Sequence, residues 1–159
     1  MRLSTRGRYA VMAMVDLARH GGDQPVCLGD IAERQEISLS YLEQLFAKLR
    51  RAGLVISARG PGGGYRLAHS RDETRIADII LAVDEPIRAT RCPPGTPFGC
   101  KQDKSRCMTH DLWEELGNQI HLFLSSVSLA DVCERRVLGA SGRMHAAGRS
   151  AAAPHKAAE

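Results

Sequence analysis

Four side chains able to hold a metal stand within 19 residues: Cys92, Cys100, Cys107 and His110, spaced C-x7-C-x6-C-x2-H. Thiolate and imidazole are soft to borderline donors, and four of them can converge on one centre if the chain between them bends freely. Residues 87–107 meet that condition: they show no helical or alternating pattern and contain Pro93, Pro94, Gly95, Pro97 and Gly99. Two chemistries suit such a shell, a structural zinc ion and an iron–sulfur cluster. Zinc ribbons usually present paired C-x2-C knuckles, and none occurs here, which favours the cluster. Cys27 and Cys133 stand apart and read as buried or incidental thiols. His20, His69, His121, His145 and His155 have no spacing partner.

The elements around this loop must position it. Thr109 suits the start of a long helix, about 109–126, with His110 in its first turn. Leu112, Leu116, Ile120, Phe123 and Val127 form its apolar stripe, flanked by Trp113 and Leu124. That stripe is longer than a small domain needs for its own core, so it is expected to pack against a second copy. Ser128-Leu129-Ala130-Asp131 has the pattern of a capping box before a last short turn.

Upstream, the periodicity predicts helices over 5–20 (Ala10, Met14, Leu17), 28–35 (Ile31, Ala32) and 39–52 (Leu42, Leu45, Phe46, Leu49). Two short β-prone runs, Leu54–Ser57 and Tyr65–Leu67, flank Arg59-Gly60-Pro61-Gly62-Gly63-Gly64 and read as a hairpin. A further helix is expected over 75–83. This order is that of a winged helix-turn-helix. The expected fold is therefore mainly α with a small β-hairpin: a winged helix-turn-helix plus a long dimerisation helix. The expected organisation is a DNA-binding domain over 1–85, a cluster-binding loop over 86–110, a dimerisation helix and following turn over 109–135, and a disordered Ala/Gly/Arg-rich tail over 139–159.

Charge placement agrees with a polyanionic partner. The chain of 159 residues carries a net charge of +4. Residues 1–70 hold ten Lys/Arg against six Asp/Glu, while residues 71–159 hold twelve of each. The whole excess lies in the winged part, where double-stranded DNA would be met first. With Leu42, Leu45, Phe46 and Leu49 inward, the third helix presents Ser38, Ser40, Tyr41, Glu43, Gln44 and Lys48, and Arg59 opens the wing. Ser and Gln contact phosphates or base edges. Glu43 admits two readings. It completes a capping box with Ser40, or it reads bases from the exposed start of the helix.

Other classes are disfavoured. No apolar run approaches the ~18 residues of a membrane span. Residues 1–15 superficially mimic a secretory signal, but Asp16 interrupts the apolar stretch. Five cysteines, an odd number, suit a cytoplasmic chain with reduced thiols better than a disulfide framework. No Ser/His/Asp or paired-carboxylate arrangement suggests an enzyme, and the glycine-rich wing lacks the Lys-Ser/Thr of a phosphate loop. An iron–sulfur carrier or electron-transfer protein would use the same Cys/His set without needing a basic, serine-flanked third helix. A zinc-stabilised DNA-binding regulator is the other alternative.

Four segments carry a family resemblance. Met1-Arg2-Leu3-Ser4-Thr5-Arg6-Gly7-Arg8-Tyr9-Ala10-Val11, Ile37-Ser38-Leu39-Ser40-Tyr41-Leu42-Glu43-Gln44-Leu45-Phe46, Arg59-Gly60-Pro61-Gly62-Gly63-Gly64-Tyr65 and Ala89-Thr90-Arg91-Cys92 resemble the Rrf2 family over about residues 1–135. The resemblance implies a homodimeric winged-helix transcription factor with a [2Fe-2S] cluster, controlling iron–sulfur assembly genes and receiving its cluster from the assembly machinery. It also implies that Ser38, Ser40, Glu43, Gln44 and Arg59 match DNA-contacting positions, and that Cys92, Cys100, Cys107 and His110 match the cluster ligands. Three departures stand out. Both gaps between cysteines are longer than is usual for the cluster-binding members. Glu36 stands where a glycine is common. Arg8 stands near the place where relatives that sense nitric oxide through a [4Fe-4S] cluster carry an acidic ligand.

Overall fold

The computed structural model describes residues 4–22, 24–89, 92, 98, 99 and 101–137. Cys100, Thr90, Arg91 and the expected tail over 139–159 lie outside the described residues. The elements run α1 (Thr5–His20), α2 (Leu28–Gln35), α3 (Leu39–Arg51), β1 (Val55–Ala58), β2 (Gly64–Leu67), α4 (Ile76–Ala82), α5 (His110–Ser126) and α6 (Leu129–Cys133). The mainly helical fold with one small hairpin is the one expected.

Helix α1 lies against α2, α3, α4 and α6. Ala10, Ala13, Met14 and Leu17 form its buried face at helical spacing, and the two alanines let neighbouring backbones come close. Asp16 lies on that face too, fully buried. Its carboxylate accepts two bonds from Arg34 Nε (3.2 and 3.1 Å), one from Arg34 Nη2 (2.7 Å) and one from Gln35 Nε2 (2.7 Å). Burial pushes this carboxyl up, but the hydrogen bonds from Arg34 and Gln35 outweigh it and hold Asp16 below its ordinary value. The network ties α1 to the last turn of α2. Glu36 then ends α2 in the left-handed conformation, φ 54°, which explains why glycine suits that position. Buried Ile37 anchors the turn, and α3 begins at once.

The wing is antiparallel, with Val55 opposite Leu67 and Ser57 opposite Tyr65. Gly60 and Gly62 take positive φ at its tip, a backbone that side-chain-bearing residues rarely adopt. Two anchors hold its base. The Tyr65 ring packs edge-on against Phe46 of α3 at 4.9 Å. Val26, from the α1–α2 connection, pairs with Tyr65 through two backbone bonds of 2.9 and 2.8 Å.

Beyond α5 the chain folds back onto this core. Ile76 N–H donates to Val127 O (3.1 Å) and Leu129 N–H donates to Thr74 O (2.9 Å). Ser128 and Asp131 close the expected capping box of α6. The C-terminal end of α5 is thus fastened to the winged core. Most of its large apolar side chains remain outside that core.

Candidate DNA interface and metal centre

Helix α3 is sealed on one face by Leu42, Leu45, Phe46 and Leu49 and open on the other. Ser38, Ser40, Glu43 and Gln44 are exposed at its N-terminal end, and Arg59 is exposed on the wing. Ser38 is the N-cap residue, but its hydroxyl makes no capping bond and stays available. This start excludes the capping reading of Glu43. A box needs the acid at the third helical position, which Tyr41 occupies; Ser40 is already inside the helix, and Glu43 lies two residues further on. Glu43 is left as an exposed carboxylate with no hydrogen-bond or ion-pair partner among the described residues.

Two other residues sit differently from expectation. Tyr41 is half-buried, its ring edge-on to Tyr9 at 6.0 Å, so it braces α3 on α1 more than it faces outward. Lys48 is paired with Asp84, Nζ to Oδ2 2.7 Å. The Lys48 bond and charge, with Arg6 and Arg51 nearby, hold the Asp84 carboxyl below its ordinary range. Asp84 opens the segment that leads toward Cys92. The start of α1 is fastened to that segment as well, since its N-cap residue Ser4 bonds the Glu85 carboxylate through its backbone N–H and its hydroxyl.

At the metal candidate, His110 is the first residue of α5 and is buried, and Cys92 is buried. Cys107 is half-buried. The His110 N–H donates to Cys107 O (3.0 Å), a turn that sets the thiol at the helix start, with Cys107 Sγ 3.6 Å from Thr109 Oγ1. Thr109 is the N-cap residue as expected, although its side chain makes no capping bond.

The loop is led to this point by Gly117. A Cβ there would come within 3.2 Å of Ala89 N, so the missing side chain lets the backbone of residues 88–89 lie on α5. Cys92 is three residues from Ala89, a reach of at most roughly 10 Å. Seven helical residues from Gly117 back to His110 also span roughly 10 Å. The two chain lengths match, so Cys92 can reach the level of His110.

Three thiols with one imidazole make a donor set of the kind that holds an iron–sulfur cluster. The described His, Cys and carboxylate ligand atoms that gather within 4.8 Å of one another are those of His110, Asp111 and Glu114, and the cysteines are outside that trio. A cluster distributes its ligands over more than one iron and does not require all of them within reach of one ion.

The outlying thiols differ from one another. Cys27, expected to be buried or incidental, is exposed at the N-cap of α2. Cys133 is half-buried, and burial pushes its thiol up. His20, assigned nothing, lies 3.3 Å from Asp16 Oδ1. The Asp16 network, the Lys48–Asp84 pair and the Gly117 cradle were not foreseen. The first and the last had a signal in the chain: an aspartate on the apolar face of a helix needs a partner, and a glycine inside a helix marks a close approach.

The sealed three-helix core, the glycine wing and the exposed polar start of α3 define a winged-helix DNA-binding regulator. The Rrf2 family pattern, described as an iron-dependent transcriptional regulator, matches residues 3–135. A putative HTH-type transcriptional regulator ORF2 of Azotobacter vinelandii is 57% identical over 135 residues, 85% of this chain and 80% of that protein. The HTH-type transcriptional regulator IscR of Photorhabdus laumondii is 54% identical over 144 residues, 90% of this chain and 86% of the relative. The solved structure of T. potens IscR superposes with a TM-score of 0.67 at 40% identity, covering 84% of this chain and 87% of that one. The chain belongs to the Rrf2 family and is a DNA-binding transcriptional regulator of the IscR type, a family of regulators and not of enzymes. No described helix is long and apolar enough to cross a membrane.

Proposed function

We propose that this regulator carries a [2Fe-2S] cluster on Cys92, Cys100, Cys107 and His110, and that cluster occupancy governs its control of iron–sulfur assembly genes. The observation that carries the reading is the junction at the start of α5. There buried His110 bonds to the carbonyl of half-buried Cys107, and Gly117 of the same helix lets the backbone of residues 88–89, shortly before buried Cys92, rest on it. Bound there, the cluster would supply a centre that comes and goes with iron and sulfide supply. The protein's own part is to hold the loop against α5 and to link it, through Asp84 and Glu85, to α3 and to the start of α1.

The regulator acts as a cytoplasmic homodimer on double-stranded DNA and takes its cluster from the assembly machinery. Two α5 helices cover each other's apolar faces, and the paired α3 helices then enter successive major grooves ~34–36 Å apart. Ser38, Ser40, Gln44 and Arg59 contact phosphates and base edges, Glu43 reads a base, Tyr41 supports them from behind, and Lys48 joins them when released from Asp84. The working parts are the DNA-binding domain over 1–85, the cluster loop over 86–110 and the dimerisation helix with its following turn over 109–135. Purification without air, with iron and sulfide assays and a visible spectrum, tests the reading. A brown protein with two irons and two sulfides per chain is expected; a colourless protein holding one zinc rejects it.

A further inference from the structure

Glu114 stands one helical turn beyond His110, and its Oε2 lies 3.7 Å from His110 Nε2. His110, Glu114 and Gly117 occupy positions i, i+4 and i+7, which share one face of a helix. It is the face on which the backbone of residues 88–89 rests before the chain reaches Cys92. The imidazole is only 5% exposed, so packing restricts its rotation. On the loop side Arg106, the neighbour of Cys107, braces the carboxylate, with Nη1 3.9 Å from Glu114 Oε2 and 3.6 Å from Asp111 Oδ1.

A neutral imidazole has one N–H and one lone pair, and the nitrogen with the lone pair binds metal. A carboxylate beside one nitrogen accepts its N–H and thereby decides which nitrogen is left as donor. Here the carboxylate faces Nε2. A torsional adjustment of the half-buried Glu114 side chain closes the remaining gap to hydrogen-bond distance. We propose that Glu114 is the positioning residue of the histidine ligand: it takes the Nε2 proton in a hydrogen bond and presents Nδ1 to the cluster. The proposal rests on the reading above that His110 binds the cluster.

The test uses the full chain purified without air, as Glu114→Ala and Glu114→Gln, each alone and combined with His110→Cys. Three quantities are read: the half-life of the visible absorbance against a chelator, the midpoint potential, and the nitrogen hyperfine coupling of the reduced cluster with histidine labelled selectively at δ1 or ε2. The coupling should come from Nδ1. Glu114→Ala should shorten the half-life about tenfold or more and move the potential. Glu114→Gln still accepts the N–H without the charge and should fall between. Both should be silent beside His110→Cys, where no imidazole remains to be oriented. Coordination through Nε2 overturns the proposal, as does an unchanged half-life and potential in the single variants. So does an equal loss beside His110→Cys, which would make Glu114 a prop for the loop. Should His110→Cys hold no cluster, the hyperfine assignment decides. A cluster without any nitrogen coupling rejects His110 as ligand, and this proposal with it, whereas coupling through Nδ1 without a Glu114 effect rejects the proposal alone.

Discussion

Helices α3 and α5 carry apolar stripes of the same period, yet Leu42, Phe46 and Leu49 of α3 are fully buried while Leu112 is 62% exposed and Leu116 and Phe123 are each 39% exposed. Short connections explain the first case. Helices α1 and α2 and the wing reach α3 through a few residues each, and the chain covers its own stripe. Helix α5 follows a long loop and is fastened to the core around its C-terminal end, through Val127 and Leu129, so its face projects past the core. An apolar stripe tells that a helix will be covered; what covers it depends on where its neighbours in the chain can reach. A contiguous exposed apolar face marks an interaction surface.

The sharpest break between the two regions is expected at the metal centre. Cys92→Ala, Cys100→Ala and Cys107→Ala should each abolish visible absorbance after anaerobic purification, with little change in thermal unfolding of the winged core. Cys27→Ala and Cys133→Ala should keep their colour. The opposite pattern would move the ligands out of the loop.

Next in size, the two stripes should respond differently to truncation. Phe46→Ala should cost about 3–5 kcal/mol, as a buried aromatic in a sealed core does. Phe123→Ala should leave unfolding of the separate chain within about 0.5 kcal/mol, as at exposed sites, and weaken association instead. Denaturant unfolding at several protein concentrations separates the two. Changing Leu116 and Ile120 together to Glu should give monomers in sedimentation. It should also lower operator affinity roughly a hundredfold or more, because binding through two linked modules is lost. A double variant that stays dimeric would place the interface elsewhere.

The core should also show an acid limb. Asp16 titrates below its ordinary 3.8 in the folded chain. Its network therefore contributes fully above the unfolded value, and that contribution is lost as pH falls from there through the lower folded value. Melting temperatures followed from about pH 6 to about pH 2 should fall less steeply for Asp16→Asn, already weakened at neutral pH, than for the unaltered chain. Parallel curves would remove Asp16 from the acid response.

The smallest expected effect is at Glu43. Unpaired and outside any cap, it should matter to DNA and hardly to folding. Glu43→Ala should relax discrimination at one base position by about 1–3 kcal/mol and bind most sequences equally or more tightly. Its stability should stay within about 0.5 kcal/mol. Binding to a randomised pool at fixed salt measures this, since phosphate-driven affinity changes steeply with salt. Uniform loss together with a lowered melting temperature would show that Glu43 supports the helix after all.

Much of this molecule follows from residues close together in the chain. The bounds of α2, the hairpin around its glycines, the capping box at Ser128 and Asp131, and the Cys/His spacing were all legible. Each arises from bonds, turns or polarity among neighbours a few positions apart. The start of α3 was only partly legible, because Ser38 and Ser40 are both good caps and their two-residue offset decides what Glu43 does. Packing of Ile37 into the core accompanies the choice of Ser38. That Asp16 needed a partner was implicit in its place on an apolar face; that the partners are Arg34 and Gln35, on another helix, was not. The same holds for Val26 with Tyr65, Lys48 with Asp84, and Gly117 with the backbone of residues 88–89. These pairs join residues 18 to 39 positions apart, and no local pattern names such partners. They are set by which helix faces meet once the apolar side chains are buried together, and that is decided by the fold as a whole.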